Sequence, residues 1–157
     1  MLHIKRIETE AQYLPVIRQL FTAYSAELAE DLSFQKFDDE LASPLKKYGP
    51  PGGSLFIAYI DNDAAGCVAL QKINDDTCEM KRLFVLSIYR KEGVGDALVK
   101  ELLADAKEKG YTKMVLDTLV RLHAATRLYS RYGFKETTPY YANPLPGVLY
   151  MEKELLP

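Results

Sequence analysis

Residues 85–95, Val85-Leu86-Ser87-Ile88-Tyr89-Arg90-Lys91-Glu92-Gly93-Val94-Gly95, combine two glycines with two adjacent cations just before a helical pattern begins. Glycine lets the backbone turn with its N–H groups pointing inward. The first N–H groups of a helix carry partial positive charge, and Arg90 and Lys91 add formal charge. Together they suit an anion such as phosphate. Two familiar nucleotide loops do not fit: a dinucleotide fingerprint needs a third small residue where Leu98 stands, and the Lys-Ser/Thr ending of a Walker loop is absent. A tight turn carrying solvated basic residues is the alternative reading.

Upstream of this loop lies a carboxylate. On an extended strand Glu79, Lys81, Leu83 and Val85 share one face, because side chains alternate with period two. Glu79 is therefore expected to face the same cleft as a ligand held by the loop and to act as a general base. An exposed strand glutamate paired with Lys81 or Lys72 is the alternative. Tyr140, Tyr141 and Asn143 lie in a Pro-bounded loop and are expected to wall an acceptor pocket, with Tyr24 and Glu27 opposite them. A packed tyrosine loop, and a core stripe with a solvated neighbour, explain the same residues. His3 and His123 show neither metal spacing nor a triad arrangement, so no metal is expected.

These residues need elements to hold them. Residues 2 to 7 alternate as a first strand, and Leu14, Ile17, Leu20, Phe21, Tyr24 and Leu28 recur at helical spacing over Glu10 to about Ala29, with Pro15 in the first turn. Phe34, Phe37 and Leu41 predict a second short helix ending before Ser43-Pro44. After the breaker Gly49-Pro50-Pro51-Gly52-Gly53, residues 55–60, 65–70 and 78–86 read as a three-strand antiparallel meander. Val94, Ala97, Leu98, Leu102 and Ala106 form one helical face, closed by Gly110, and Met114-Val115-Leu116 reads as a buried parallel strand. A helix from about Leu122 to Tyr132 ends at Gly133. Phe134 onward and Val148 to Lys153 supply two last strands.

A chain of 157 residues with 48% hydrophobic and 27% charged residues supports one compact domain, 1–157, and excludes disordered and collagen-like classes. A formal net charge of -2 gives no global field for nucleic acid or anionic lipid. Cys67 and Cys78 are too few for a disulfide framework, and no apolar run resembles a signal peptide or a membrane span. A cytoplasmic location is expected.

Arg90-x-x-Gly93-x-Gly95 after Leu83-Phe84-Val85 resembles the acetyl-CoA loop of the GNAT-superfamily N-acetyltransferases, and Ala125-x-x-Leu128-Tyr129-x-x-x-Gly133-Phe134 is similar to their C-terminal helix signature. The order of expected elements agrees as well. The resemblance implies an α/β, three-layer fold with a mixed, mainly antiparallel sheet, helices on both faces, and strands splayed at the cofactor site. It implies acetyl-CoA with its diphosphate on the backbone of Arg90, Lys91, Glu92, Gly93, Val94 and Gly95, and its pantetheine along Leu83, Phe84 and Val85. It makes Tyr129 the group that assists the departing thiolate. Two positions depart from the family pattern: Ser87 stands where a proline is common, and Leu122 where an asparagine is common. The expected reaction is direct transfer of acetyl to a primary amine in a ternary complex, the acceptor being a small-molecule amine or amino acid. A peptide or protein amine, and a non-catalytic acyl-CoA sensor, are the alternatives. A homodimer stays open.

Overall fold

The computed structural model describes residues 1–156, and a seven-stranded sheet organises them. The strands are β1 (Leu2–Arg6), β2 (Ser54–Ile60), β3 (Asp63–Lys72), β4 (Thr77–Val85), β5 (Lys113–Leu119), β6 (Lys135–Glu136) and β7 (Val148–Glu154), in the order β1-β2-β3-β4-β5-β7-β6. Neighbours are antiparallel except β4 and β5, which run parallel. The connection between that pair is a helix, α4 (Val94–Glu108), as a parallel crossover requires. The sheet is thus mixed and mainly antiparallel, as expected, and it is not closed.

Side-chain alternation sends the strands' residues to two cores. Phe56, Ala58, Val68 and Leu70 pack with Leu98, Leu102 and Ala106 of α4 and with Leu128 and Tyr129 of α5 (His123–Arg131). Leu55, Ile57, Cys67 and Ala69 pack on the other face with Ile17, Leu20 and Phe21 of α1 (Leu14–Leu28). Helices therefore cover both faces. Pro15 lies in the first turn of α1, where the missing N–H leaves no helical bond unmade.

The region after α1 differs from its expected form. A 3-10 turn at Ser33–Gln35 is separated from α2 (Phe37–Ala42) by Lys36, whose φ of 57° is left-handed and breaks the helical run. Pro44 does not merely terminate a helix. It occupies the first turn of a further one, α3 (Pro44–Tyr48), where its fixed φ is compatible with starting a helix. This third helix is absent from the sequence-based reading.

A second departure matters more for the site. On β3 the register advances from Cys67 to Ala69 while on β4 it retreats from Phe84 to Lys81, so Val68 alone opposes Arg82 and Leu83 and β4 carries a bulge. Arg82 sits in it at φ 59°, a left-handed conformation that costs an L-residue about 1–2 kcal/mol. The bulge flips the alternation. Cys78, Met80, Leu83 and Val85 share the α4–α5 face, whereas Phe84 packs on the α1 side and Arg82 lies over Tyr24 and Phe37 there. The expectation that Glu79, Lys81, Leu83 and Val85 line one face is therefore wrong: the bulge leaves Glu79 and Lys81 opposite to Leu83 and Val85.

Candidate active site

The parallel ladder between β4 and β5 is short: only Thr77, Cys78 and Glu79 pair, with Lys113, Met114 and Val115. Beyond it the strands part, and the β5-facing edge of residues 80–85 has no strand partner. A cleft opens at this splay, lined by Tyr24, Lys81, Arg82, Leu83, Asp117 and Tyr129 among others.

At the end of β4 a 3-10 turn, Ser87–Tyr89, leads into the glycine loop and α4. Tyr89 N–H donates to Leu86, and Arg90 N–H makes only a long 3.4 Å contact with Ser87. The amides of Lys91 through Asp96 donate to no described protein acceptor, and no side chain caps the helix. Six successive N–H groups at the start of a fifteen-residue helix are thus left for an anion. The loop achieves this with left-handed backbone at Lys91 (φ 70°) and Gly93 (φ 79°). A Cβ on Gly93 would meet nothing within 4 Å, whereas on Gly95 it would stand 3.2 Å from Leu128 of α5. Gly93 therefore serves conformation and open space, and Gly95 serves close packing.

Arg90 does not project freely beside the loop. Its Nη2 pairs with Glu27 at 2.5 Å, and its Nε and Nη2 donate to the Val85 carbonyl at 3.1 and 3.0 Å. Glu27 accordingly ties α1 to the loop, half-exposed and away from the acceptor wall where it was expected. The same contact engages the carbonyl of Val85.

Tyr129 of α5 reaches the cleft. It is 7% exposed and packs edge-on against Phe134 at 5.9 Å, and its hydroxyl makes no hydrogen bond to a described residue. Burial pushes its proton affinity above that of an ordinary phenol, so it stays protonated. Glu79 is 5% exposed. Its Oε2 accepts a 2.5 Å hydrogen bond from Tyr140, and Lys81 Nζ lies 3.8 Å from the same oxygen. Oε1 makes no hydrogen bond to a described residue. Burial raises the Glu79 carboxyl above the usual range, with Lys81 and the Tyr140 hydroxyl opposing and Asp117 reinforcing.

The aromatic loop comes to the cleft as well. Tyr141 donates to Asp117 Oδ2, Asn143 Nδ2 donates to the same oxygen at 2.7 Å, and Gln35 donates to the Tyr141 hydroxyl at 3.1 Å. Tyr150 braces the loop by donating to the Tyr141 carbonyl at 2.8 Å. Tyr24, Tyr129 and Asn143 thus line the cleft and Tyr141 joins it through Asp117, whereas Glu79 and Tyr140 do not line it and reach it through Lys81, and Glu27 stands with Arg90.

Four polar residues were missed. Arg82, 3% exposed, donates from Nε to Glu40 Oε2 at 2.6 Å and from Nη2 to Glu40 Oε1 at 2.9 Å and Gln35 at 2.8 Å. Lys47 reaches Glu40 at 3.0 Å. Burial alone would raise the Glu40 carboxyl, but the Arg82 and Lys47 charges outweigh it and hold it below the usual range. Asp117, on β5 past the ladder, was also unforeseen. The available signal was Lys81-Arg82, two adjacent cations inside an otherwise apolar strand, because buried cations demand carboxylate partners.

Cys67 and Cys78 are free and buried, and burial pushes both thiols up to about 12. Neither suits a nucleophile. Among the described residues, no cluster of three or more His, Cys, Asp or Glu could hold a metal ion, and no helix is long and apolar enough to cross a membrane.

Comparison with known proteins agrees with this geometry. Residues 14–134 match the family model of the acetyltransferase (GNAT) family. An uncharacterised N-acetyltransferase of Schizosaccharomyces pombe is 46% identical over 146 residues, covering 92% of this chain and 90% of the relative. Among solved structures, an acetyltransferase of Streptococcus agalactiae superposes with a TM-score of 0.81 at 25% identity, over 98% of each chain. A GNAT-family acetyltransferase of Elizabethkingia anophelis, solved with acetyl-CoA bound, gives 0.71 at 25% identity, over 98% of each.

Proposed function

The chain belongs to the acetyltransferase (GNAT) family, and from that premise we propose that it is a single-domain, cytoplasmic N-acetyltransferase that moves acetyl from acetyl-CoA to the amine of a small molecule. The observation that carries this reading is the run of unclaimed amides from Lys91 to Asp96, set at the end of a strand whose neighbouring edge is open. Those two features fit acetyl-CoA: the amides of 91–96 hold its diphosphate, and the free edge of residues 80–85 lies beside its pantetheine arm. When bound, acetyl-CoA supplies an acetyl thioester whose thiol leaving group resembles cysteine, with a pKa of about 8.5.

The protein's own groups do the rest. An alkylammonium has a pKa of about 10.4 and cannot attack until it loses a proton. Glu79 takes that proton on Oε1, with Oε2 already fixed by Tyr140. Desolvation favours this role, because it makes the carboxylate a stronger base than one in water. Tyr129 presents its unpartnered hydroxyl to the departing sulfur. Since burial raises its pKa further above that of a thiol, it assists by donating a hydrogen bond rather than by full proton transfer. Tyr24, Tyr141 and Asn143 shape the acceptor side. The amine attacks directly, so no acetyl-enzyme forms, in keeping with two thiols that burial keeps protonated.

The test is thiol release from acetyl-CoA with a mixed panel of amines, together with intact-mass measurement of enzyme incubated with acetyl-CoA alone. Acceptor-dependent release with an unmodified protein mass supports the reading. Release without an acceptor accompanied by a stoichiometric acetyl adduct contradicts it.

A further inference from the structure

Continuing the β4–β5 register past its last pair, Glu79 with Val115, sets Lys81 opposite Asp117. Here the strands have already separated. The two side chains line the same cleft, yet they form no ion pair with each other. Asp117 Oδ2 is held by Tyr141 and Asn143, while Oδ1 has no hydrogen-bond partner among the described residues. Lys81 is 6% exposed, and its Nζ lies at 3.8 Å from Glu79, beyond hydrogen-bond reach. Beside it, Arg82 spends Nε and Nη2 on Glu40 and Gln35 and leaves Nη1 unpaired. Lys81 Nζ, Arg82 Nη1 and Asp117 Oδ1 thus keep hydrogen-bonding capacity that no described residue fills. A ligand carrying both signs satisfies both.

The charge inventory narrows the choice. Glu40, Glu79 and Asp117 balance Lys47, Lys81 and Arg82, so these side chains sum to zero. A diamine would bring excess positive charge into a balanced site, and a dicarboxylic amino acid would bring excess negative charge. Away from these charges Leu28, Leu32, Leu119, Leu122 and Leu145 give the wall an apolar stretch where a hydrocarbon side chain can pack, with Thr118 and Gln35 beside it.

Resting on the transferase reading, we propose that the acceptor is a free zwitterionic amino acid with an apolar side chain, its carboxylate held by Lys81 and Arg82 and its ammonium by Asp117 across the β4–β5 gap. Asp117 thereby hands the amine to Glu79, which faces the same side of the sheet. A peptide N-terminus carries the ammonium without the adjacent carboxylate and leaves Lys81 unsatisfied.

The experiment compares kcat/KM, from thiol release at saturating acetyl-CoA, for leucine and phenylalanine, each against its amide and its decarboxylated amine, with aspartate, lysine and putrescine alongside. The free apolar amino acid should exceed its amide and its amine by at least tenfold. Lys81→Met should narrow that ratio to within about threefold, and Asp117→Asn should weaken amino acid and amine together. Equal or better use of the amide or amine, or a preference for aspartate, lysine or putrescine, overturns the inference and leaves the transferase reading standing. No thiol release with any acceptor, despite calorimetric binding of acetyl-CoA, overturns both.

Discussion

Replacing Tyr129 by Phe removes a single oxygen from the cleft. That hydroxyl makes no hydrogen bond to a described residue, and the ring's contact with Phe134 survives the change, so stability should move by no more than about 0.5 kcal/mol. Catalysis should respond quite differently. A hydrogen bond to a group acquiring negative charge contributes about 1.5–3 kcal/mol, and each 1.36 kcal/mol is tenfold in rate. Tyr129→Phe should thus lower kcat by about 10- to 150-fold while the KM for acetyl-CoA changes by less than about threefold. The pH profile supplies an independent check. A donor must be protonated to act, and because burial raises the pKa of Tyr129, its ionisation should produce no falling limb below about pH 10. Steady-state thiol release on wild type and variant, with a thermal melt on each, measures all three quantities. Turnover within twofold of wild type would refute the reasoning. So would a melting point lowered by many degrees, since the loss would then be structural.

Three other outcomes follow from the same geometry. Glu79 must be unprotonated to accept a proton and burial raises its pKa, so kcat/KM should climb with pH through a value above the ordinary carboxylate range, and Glu79→Gln should abolish that limb; an unaltered profile removes Glu79 as the base. Gly93→Val should leave the protein folded at a cost of about 1–2 kcal/mol for a left-handed β-branched residue, while weakening acetyl-CoA at least tenfold by calorimetry; undiminished affinity counts against the amide cradle. Glu40→Gln should cost about 3–5 kcal/mol by stranding Arg82. Because the folded pKa of Glu40 is depressed, its stabilisation is present above the unfolded pKa near 4.5 and is lost as pH falls through the folded value. Urea melts of wild type and variant should therefore converge in acid, and a difference independent of pH would exclude the ion pair as its source.

Local patterns announced the scaffold better than the charges. Helical spacing found α1, α4 and α5 because each has one apolar stripe against the sheet, and paired glycines marked the loop because its backbone must turn left-handed. Pro44 misled because proline both ends one helix and begins the next. Period-two alternation failed at Arg82, whose bulge is stabilised by Glu40, a residue 42 positions away. Such a partnership leaves no trace in local spacing. Asp117 escaped notice for a related reason: its importance depends on parallel pairing that stops two residues earlier, which is a property of the register and not of the strand's own composition. Glu27 and Arg90 were each assigned a separate role, and only the packing of α1 over the loop shows that they neutralise one another.

The central claim, that the backbone between Lys91 and Asp96 receives the diphosphate of acetyl-CoA, is tested most directly by following the amide resonances of 15N-labelled protein during an acetyl-CoA titration. The amides of 91–96 should shift in saturable fashion and gain protection from solvent exchange, with dephosphorylated pantetheine failing to reproduce either effect. Saturation with acetyl-CoA while those resonances remain unmoved and unprotected would contradict the account.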